Sequence, residues 1–218
     1  MNILLVMAHP DDAEIWCGGS IIRHTRSGDR VRVLVMTYFP DSQRGMEAQR
    51  GAELMGCEVE LLGLSDTRVR PDEAVIDRLV DELVAFKPDL FITHWFDDVH
   101  PDHEATFQLA RTAFFRRITR EPLINPASFP LFLLCDTYRS LGLRGPFQPN
   151  HLVDVSKSWG DKLESIRAHK SQPVEFFSAL VEKQCRDHGR QRGVEYAEGF
   201  ILLDLFGLNR GLNSEQLF

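Results

Sequence analysis

The chain is expected to fold as an α/β protein of the Rossmann-like, doubly wound class, with a mainly parallel sheet and a C-terminal cap region. Three observations predict this. Strand-like runs and amphipathic helical stretches take turns through the first half of the sequence. Two of the helical stretches stop at a glycine, Gly28 and Gly56. The first apolar run, residues 3–8, is unbroken and too short for a helix, as expected of a strand buried on both faces.

Each element has its own warrant. Residues 13–27 carry Ile15, Ile21 and Ile22 in a helical stretch closed by Gly28. Residues 30–37 (RVRVLVMT) are dense in β-branched side chains and predict the second strand. An amphipathic stretch at 42–55 and a strand at 58–62 repeat the pattern. Residues 72–86 place Val75, Ile76, Leu79, Val80, Leu83 and Val84 on one helical stripe, followed by a strand at 90–93 and a helix from Asp102. Residues 120–150 contain Pro122, Pro126, Pro130, Pro146 and Pro149, too many for a long helix, so a short strand at 131–135 and covering loops are expected there. Helices at 159–169 and 174–189 and a closing strand at 200–205 complete the chain.

Composition bounds the rest. At 218 residues, 43% hydrophobic and 26% charged, residues 1–218 suit a single domain with one sizeable core. A formal net charge of -7 supplies no basic footprint for nucleic acid, and no apolar stretch approaches a membrane span. Cys17, Cys57, Cys135 and Cys185 form no C-x-x-C pair, which suits reduced thiols and a cytoplasmic location.

The chemistry concentrates behind two strands. His9-Pro10-Asp11-Asp12 follows the first, where a nucleotide-binding fold would present glycines; these carboxylates would repel a phosphate and call instead for a cation. His100-Pro101-Asp102-His103 follows a later strand. In an open parallel sheet both fall at the carboxyl edge, where ligands bind. Imidazole and carboxylate donors favour Zn²⁺, or another divalent transition metal. A spacing of three lets the residues of each motif converge on one ion, while the intervening aspartate can face water.

At these residues the chain resembles the LmbE/PIG-L-like zinc-dependent N-deacetylases, a family that includes deacetylases of the mycothiol and bacillithiol pathways. The resemblance rests on Ala8-His9-Pro10-Asp11-Asp12-Ala13-Glu14 with Gly18-Gly19, and on His100-Pro101-Asp102-His103. Arg44-Gly45-Met46-Glu47 and the late segments KLESIRAHKSQ and YAEGF add support. It implies His9, Asp12 and His103 as metal ligands, Asp11 as general base toward metal-bound water, and His100 as oxyanion stabiliser or acid for the departing amine. Arg44 and Tyr196 would bind substrate, with His169 and Lys170 as further residues near the pocket. Val99 stands where many bacillithiol-type relatives have an arginine, which argues against a malate-bearing substrate.

The expected function is therefore metal-dependent removal of an N-acetyl or similar acyl group from an amino sugar or its conjugate. Homo-oligomerisation is implied by the resemblance alone. Two competing readings are a hydratase of an unsaturated carboxylic acid on the same scaffold, and a non-enzymatic module whose aspartates cap helices. His24, His94, His151 and His188 lack paired spacing and are expected to be structural, His94 least securely because it closes the strand before the second motif.

Overall fold

The computed structural model describes residues 1–120 and 130–203. Its elements are β1 (Asn2–Met7), α1 (Asp12–Arg26), β2 (Arg30–Thr37), α2 (Gln43–Met55), β3 (Glu58–Leu64), α3 (Glu73–Phe86), β4 (Leu90–Thr93), α4 (Pro101–Arg120), β5 (Leu131–Cys135), β6 (His151–Asp154), α5 (Trp159–Arg167), α6 (Val174–Arg192) and β7 (Ala197–Leu203). A 3-10 turn, Tyr138–Ser140, follows β5. The strands form one sheet in the order β3-β2-β1-β4-β5-β7-β6. β1 through β5 are parallel neighbours, whereas β7 runs antiparallel to both β5 and β6.

The order places β1 and β4 side by side, with Ile3 opposite Leu90 and Val6 opposite Thr93. The two histidine motifs therefore leave adjacent strands at the same edge, at the point where the sheet reverses its winding. Side chains of β1 alternate between two cores: Ile3, Leu5 and Met7 pack with Ile15, Trp16 and Ile166, while Leu4 and Val6 pack with Leu79, Leu83 and Phe114. Burial on both faces is why the run is continuously apolar.

Local chemistry sets the helix ends. Ser42 Oγ accepts from Gly45 N at 3.0 Å to start α2, and Gly56 ends it at φ 73°. Asp72 accepts from the amides of Ala74 and Val75 to start α3. In α1 the Gly18-Gly19 pair is a packing requirement: a Cβ on Gly19 would lie 2.6 Å from Val155 Cβ. That approach lets Glu198 of β7 accept from Gly19 N (2.8 Å), Ser20 N (2.9 Å) and Ser20 Oγ (2.6 Å), while fully buried Lys162 bridges Glu198 and Ile15 O. The C-terminal elements are thereby tied to the helix that carries Asp12.

The expected mainly parallel sheet is present; β3 runs to Leu64, two residues past its expected end, β7 begins at Ala197 rather than at residue 200, and the larger differences fall in the last third. β6 was not anticipated, because four residues at a sheet edge with only Val153 buried carry too little apolar pattern. α6 runs to Arg192, past the expected end at Gly189, and the left-handed C-cap is Gly193 at φ 81°. Pro122 and Pro126 of the proline-rich segment, and residues 204–205 of the expected closing strand, lie outside the described residues. Cys17, Cys135 and Cys185 are buried and Cys57 is half-buried, and burial pushes the thiols of Cys57 and Cys185 up to about 12. Among the described residues no helix is long and apolar enough to cross a membrane.

Candidate metal centre

The turn after β1 aims its donors inward. Asp11 occupies the N-cap position of α1 but makes no capping hydrogen bond; its Oδ1 instead accepts from Arg44 Nη2 at 2.6 Å. Asp12 accepts from His9 N at 2.7 Å and is almost wholly buried. His103, on the first turn of α4, is fully buried. His9 Nδ1 lies 3.3 Å from Asp12 Oδ2 and 3.2 Å from His103 Nε2, and His103 Nε2 lies 3.3 Å from Asp12 Oδ1.

Those separations test whether a cation fits. Ligand atoms about 2.0–2.1 Å from a tetrahedral zinc stand about 3.3 Å apart; the two imidazole nitrogens meet that spacing, and each meets it to a different oxygen of Asp12. The other ring nitrogens point outward to carboxylates: His103 Nδ1 to Asp98 Oδ2 at 2.9 Å, and His9 Nε2 to Asp102 Oδ2 and Asp66 Oδ1, each at 3.3 Å. Imidazoles that ligate metals are oriented in this way. His9, Asp12 and His103 would hold the ion.

Electrostatics agree. Burial alone would strip His103 of its proton, but Asp12 and then Asp98 outweigh it and push its pKa up to about 10. Burial opposes ionisation of Asp12 too, and His103, His94 and His9 together hold its carboxyl well below the usual range. Such a pocket of carboxylate and imidazole has a strong preference for a positive charge.

His100 is half-buried, edge-on to His9 at 4.7 Å between centroids and stacked on His103 at 4.8 Å. Its Nδ1 accepts from Asp102 N at 3.2 Å, so its proton sits on Nε2. Burial, followed by the neighbouring His103 and His9, lowers its pKa. Arg44 lies over the Tyr38 ring at 4.9 Å, as well as on Asp11, and belongs to the cluster.

Three expectations need correction. Tyr196 does not join the cluster: it stacks on Trp159 at 4.1 Å and its hydroxyl meets Arg186, because β7 carries its N-terminal end toward β6 and α6. Asp102 does not face water but accepts from Thr67 N (2.7 Å) and Val69 N (3.2 Å) while supporting His9. Lys170 is exposed, whereas His169, buried 3.1 Å from Glu14 and within reach of the charge of Asp11, does lie near the cluster.

The residues not anticipated are Asp66, Asp98 and Tyr138, while His94, expected to be structural but least securely so, lies against the cluster. Asp98 was legible in principle, two residues ahead of His100 in the second motif. His94 is fully buried, stacked on His103 at 3.9 Å, with Nε2 accepting from Ala8 N at 2.9 Å and lying 3.3 Å from Asp12 Oδ2. That backbone hydrogen bond occupies the lone pair a cation would need, so His94 backs the cluster rather than completing it. Burial, then His103, pushes its pKa down to about 4, which keeps it neutral.

Comparison with known proteins bears on the same residues. The profile of the family described as PIG-L, GlcNAc-PI de-N-acetylase, matches residues 4–114, a span holding both motifs. The chain belongs to the PIG-L family. Within it, this PIG-L chain is 28% identical to a diacetylchitobiose deacetylase from Thermococcus kodakarensis, over 91% of this chain and 81% of the relative. It is 26% identical to a 1D-myo-inositol 2-acetamido-2-deoxy-alpha-D-glucopyranoside deacetylase from Actinosynnema mirum, over 78% and 80% of the two chains. The fold is shared with the 4-carboxy-2-hydroxymuconate hydratase of Pseudomonas putida KT2440, with a TM-score of 0.80, 21% identity, and coverage of 93% and 96%.

Proposed function

We propose that this PIG-L protein is a zinc-dependent hydrolase that removes an N-acetyl or similar N-acyl group from an amino sugar or amino-sugar conjugate. The observation that carries the reading is the convergence of His9 Nδ1, an Asp12 carboxylate and His103 Nε2 at 3.2–3.3 Å, beside an aspartate that caps nothing. The curated relatives that span most of this chain are named as deacetylases of acetylated amino sugars, which supports the substrate class.

An amide needs a strong nucleophile, a polarised carbonyl and an acid for the leaving nitrogen. Zinc, when bound, supplies Lewis acidity that lowers the pKa of water and polarises a carbonyl. Asp11 is the general base: buried yet held by Arg44 from one side, it keeps a carboxylate oxygen for a water proton. His100 is neutral with its proton on Nε2, so it donates a hydrogen bond to the oxygen on which charge develops, and the proton that Asp11 takes from water is the one delivered to the departing amine. Arg44 orients Asp11 and offers its remaining N–H groups to a substrate oxygen; its buried Nε has no partner among the described residues.

The test is a screen of the zinc-loaded protein against N-acyl amino sugars with detection of free amine and acetate, beside the Asp11→Ala variant. Amine release that falls by a factor of about 100 or more in Asp11→Ala, with zinc still bound, is expected. Equal activity in both proteins removes Asp11 from this role. The shared fold of the muconate hydratase leaves hydration as the second reading, and a change in ultraviolet absorbance of an unsaturated acid without amine release would establish it.

A further inference from the structure

The loop after β5 is built around a buried carboxylate that the hydrolytic scheme does not use. Asp136 accepts from Thr137 N (2.7 Å), Ser140 Oγ (2.7 Å), Gln184 Nε2 (3.1 Å) and His188 Nε2 (2.8 Å). Gln184 also donates to Thr137 O at 2.8 Å and accepts from Arg139 N at 3.3 Å. Arg139 and Ser140 have φ 59° and 51°, consecutive left-handed conformations that side-chain-bearing residues adopt only when their surroundings offset the cost. A buried polar network and two strained residues thus serve one short turn.

What the turn presents is Tyr138. Its ring lies nearly parallel to His103, with centroids 5.9 Å apart and planes 16° apart, and edge-on to Trp16 at 5.1 Å. Its phenol carries one O–H donor. Among the described residues no hydrogen-bond partner receives it. A neutral donor beside a cluster of carboxylates, supported by a loop under strain, is a group arranged for something that arrives from outside.

We propose that Tyr138 contacts the substrate, donating a hydrogen bond from its phenol to an oxygen of the bound N-acyl amino sugar, and that Gln184 of α6 acts through Asp136 and the 3-10 turn to position it. The inference rests on the hydrolase reading above and adds a substrate-contacting residue that neither motif contains. Strain at 139–140 is then the consequence of bringing the ring over His103 from a strand end that points past it.

The experiment uses the full zinc-loaded chain and the best N-acetyl amino sugar from the screen. Tyr138→Phe removes only the hydroxyl and is expected to lower kcat/KM by about tenfold or more, with zinc affinity and Tm at wild-type values. Gln184→Leu is expected to lower kcat/KM as well, and the Tyr138→Phe/Gln184→Leu double variant to be no worse than the more impaired single variant, since both losses pass through one hydrogen bond. Tyr138→Phe within twofold of wild type overturns the contact. A loss in Tyr138→Phe that tracks a fall in zinc affinity or Tm overturns it equally, by assigning the residue to structure. Fully additive losses in the double variant overturn the positioning role of Gln184. A wild-type chain that releases amine from no amino sugar fails the hydrolase reading itself and this inference with it, an outcome distinct from an active wild type matched by Tyr138→Phe.

Discussion

Replacing Asp98 by asparagine preserves shape and removes one charge behind His103. The two carboxylate oxygens have separate tasks: Oδ2 accepts from His103 Nδ1 at 2.9 Å, and Oδ1 accepts from His100 N at 2.8 Å. An asparagine has one acceptor, so whichever N–H it satisfies, its amide nitrogen faces the other. Hydrogen bonds to charged groups contribute about 1.5–3 kcal/mol and neutral ones about 0.5–1.5, so lost charge alone costs about 1–1.5 kcal/mol, and the mismatched N–H adds about 1. Part of this cost falls on the metal-free chain as well, where His103 carries a proton held by Asp12 and by Asp98. With a cation in place, the charge of Asp12 is committed to it, and Asp98 remains the partner on the outer face of the ring. The expected result is zinc binding weakened by about 10- to 100-fold, equivalent to about 1.4–2.7 kcal/mol, read by competition with a chromophoric chelator. Zinc affinity within twofold of wild type, in a variant with unchanged circular dichroism, would refute the carboxylate–imidazole–metal arrangement.

Other consequences are equally accessible. A Cβ on Gly51 would lie 2.0 Å from Glu14 Oε1 and 3.2 Å from His169 Nε2, so Gly51→Ala should destabilise by about 1–3 kcal/mol and lower Tm by about 2–12 °C in a thermal scan; an unchanged Tm would show that Glu14 yields freely. Because the pKa of His103 is raised to about 10 in the metal-free chain, its ion pairs stabilise that form fully below the ordinary histidine value and lose their effect as pH rises through about 10. Zinc binding at pH 7.5 should accordingly release at least one proton and tighten with rising pH, seen by calorimetry as a heat that depends on buffer ionisation; a buffer-independent heat contradicts this. His94→Gln keeps an acceptor for Ala8 N and should bind zinc within a few-fold of wild type, whereas a loss as large as that in His103→Gln would make His94 a ligand.

Much of this was legible because both levels of information were local. β1 reads as buried on both faces from Ile3 to Met7 alone, and α2 and α3 announce their ends through Ser42, Gly56 and Asp72. The grouping of His9, Asp12 and His103 was implied by the family resemblance at the two motifs, and the structure brings the three side chains to 3.2–3.3 Å of one another. Tyr138 and Asp66 were not readable, since each reaches the cluster by tertiary folding, Tyr138 by a left-handed turn and Asp66 from beyond β3, whereas His94 was marked by its place at the end of β4 but not by its acceptance of a backbone N–H from Ala8. Tyr196 misled for the converse reason. A tyrosine next to a family-like segment looks functional until Trp159 and Arg186 are seen to occupy it.

A crystal structure of the zinc-loaded protein, with anomalous diffraction recorded on both sides of the zinc edge, bears most directly on the central claim. One peak bonded to His9 Nδ1, Asp12 and His103 Nε2, with His94 still on Ala8 N, is the predicted result. A peak elsewhere, or zinc-saturated crystals in which those three side chains hold no metal, would contradict it.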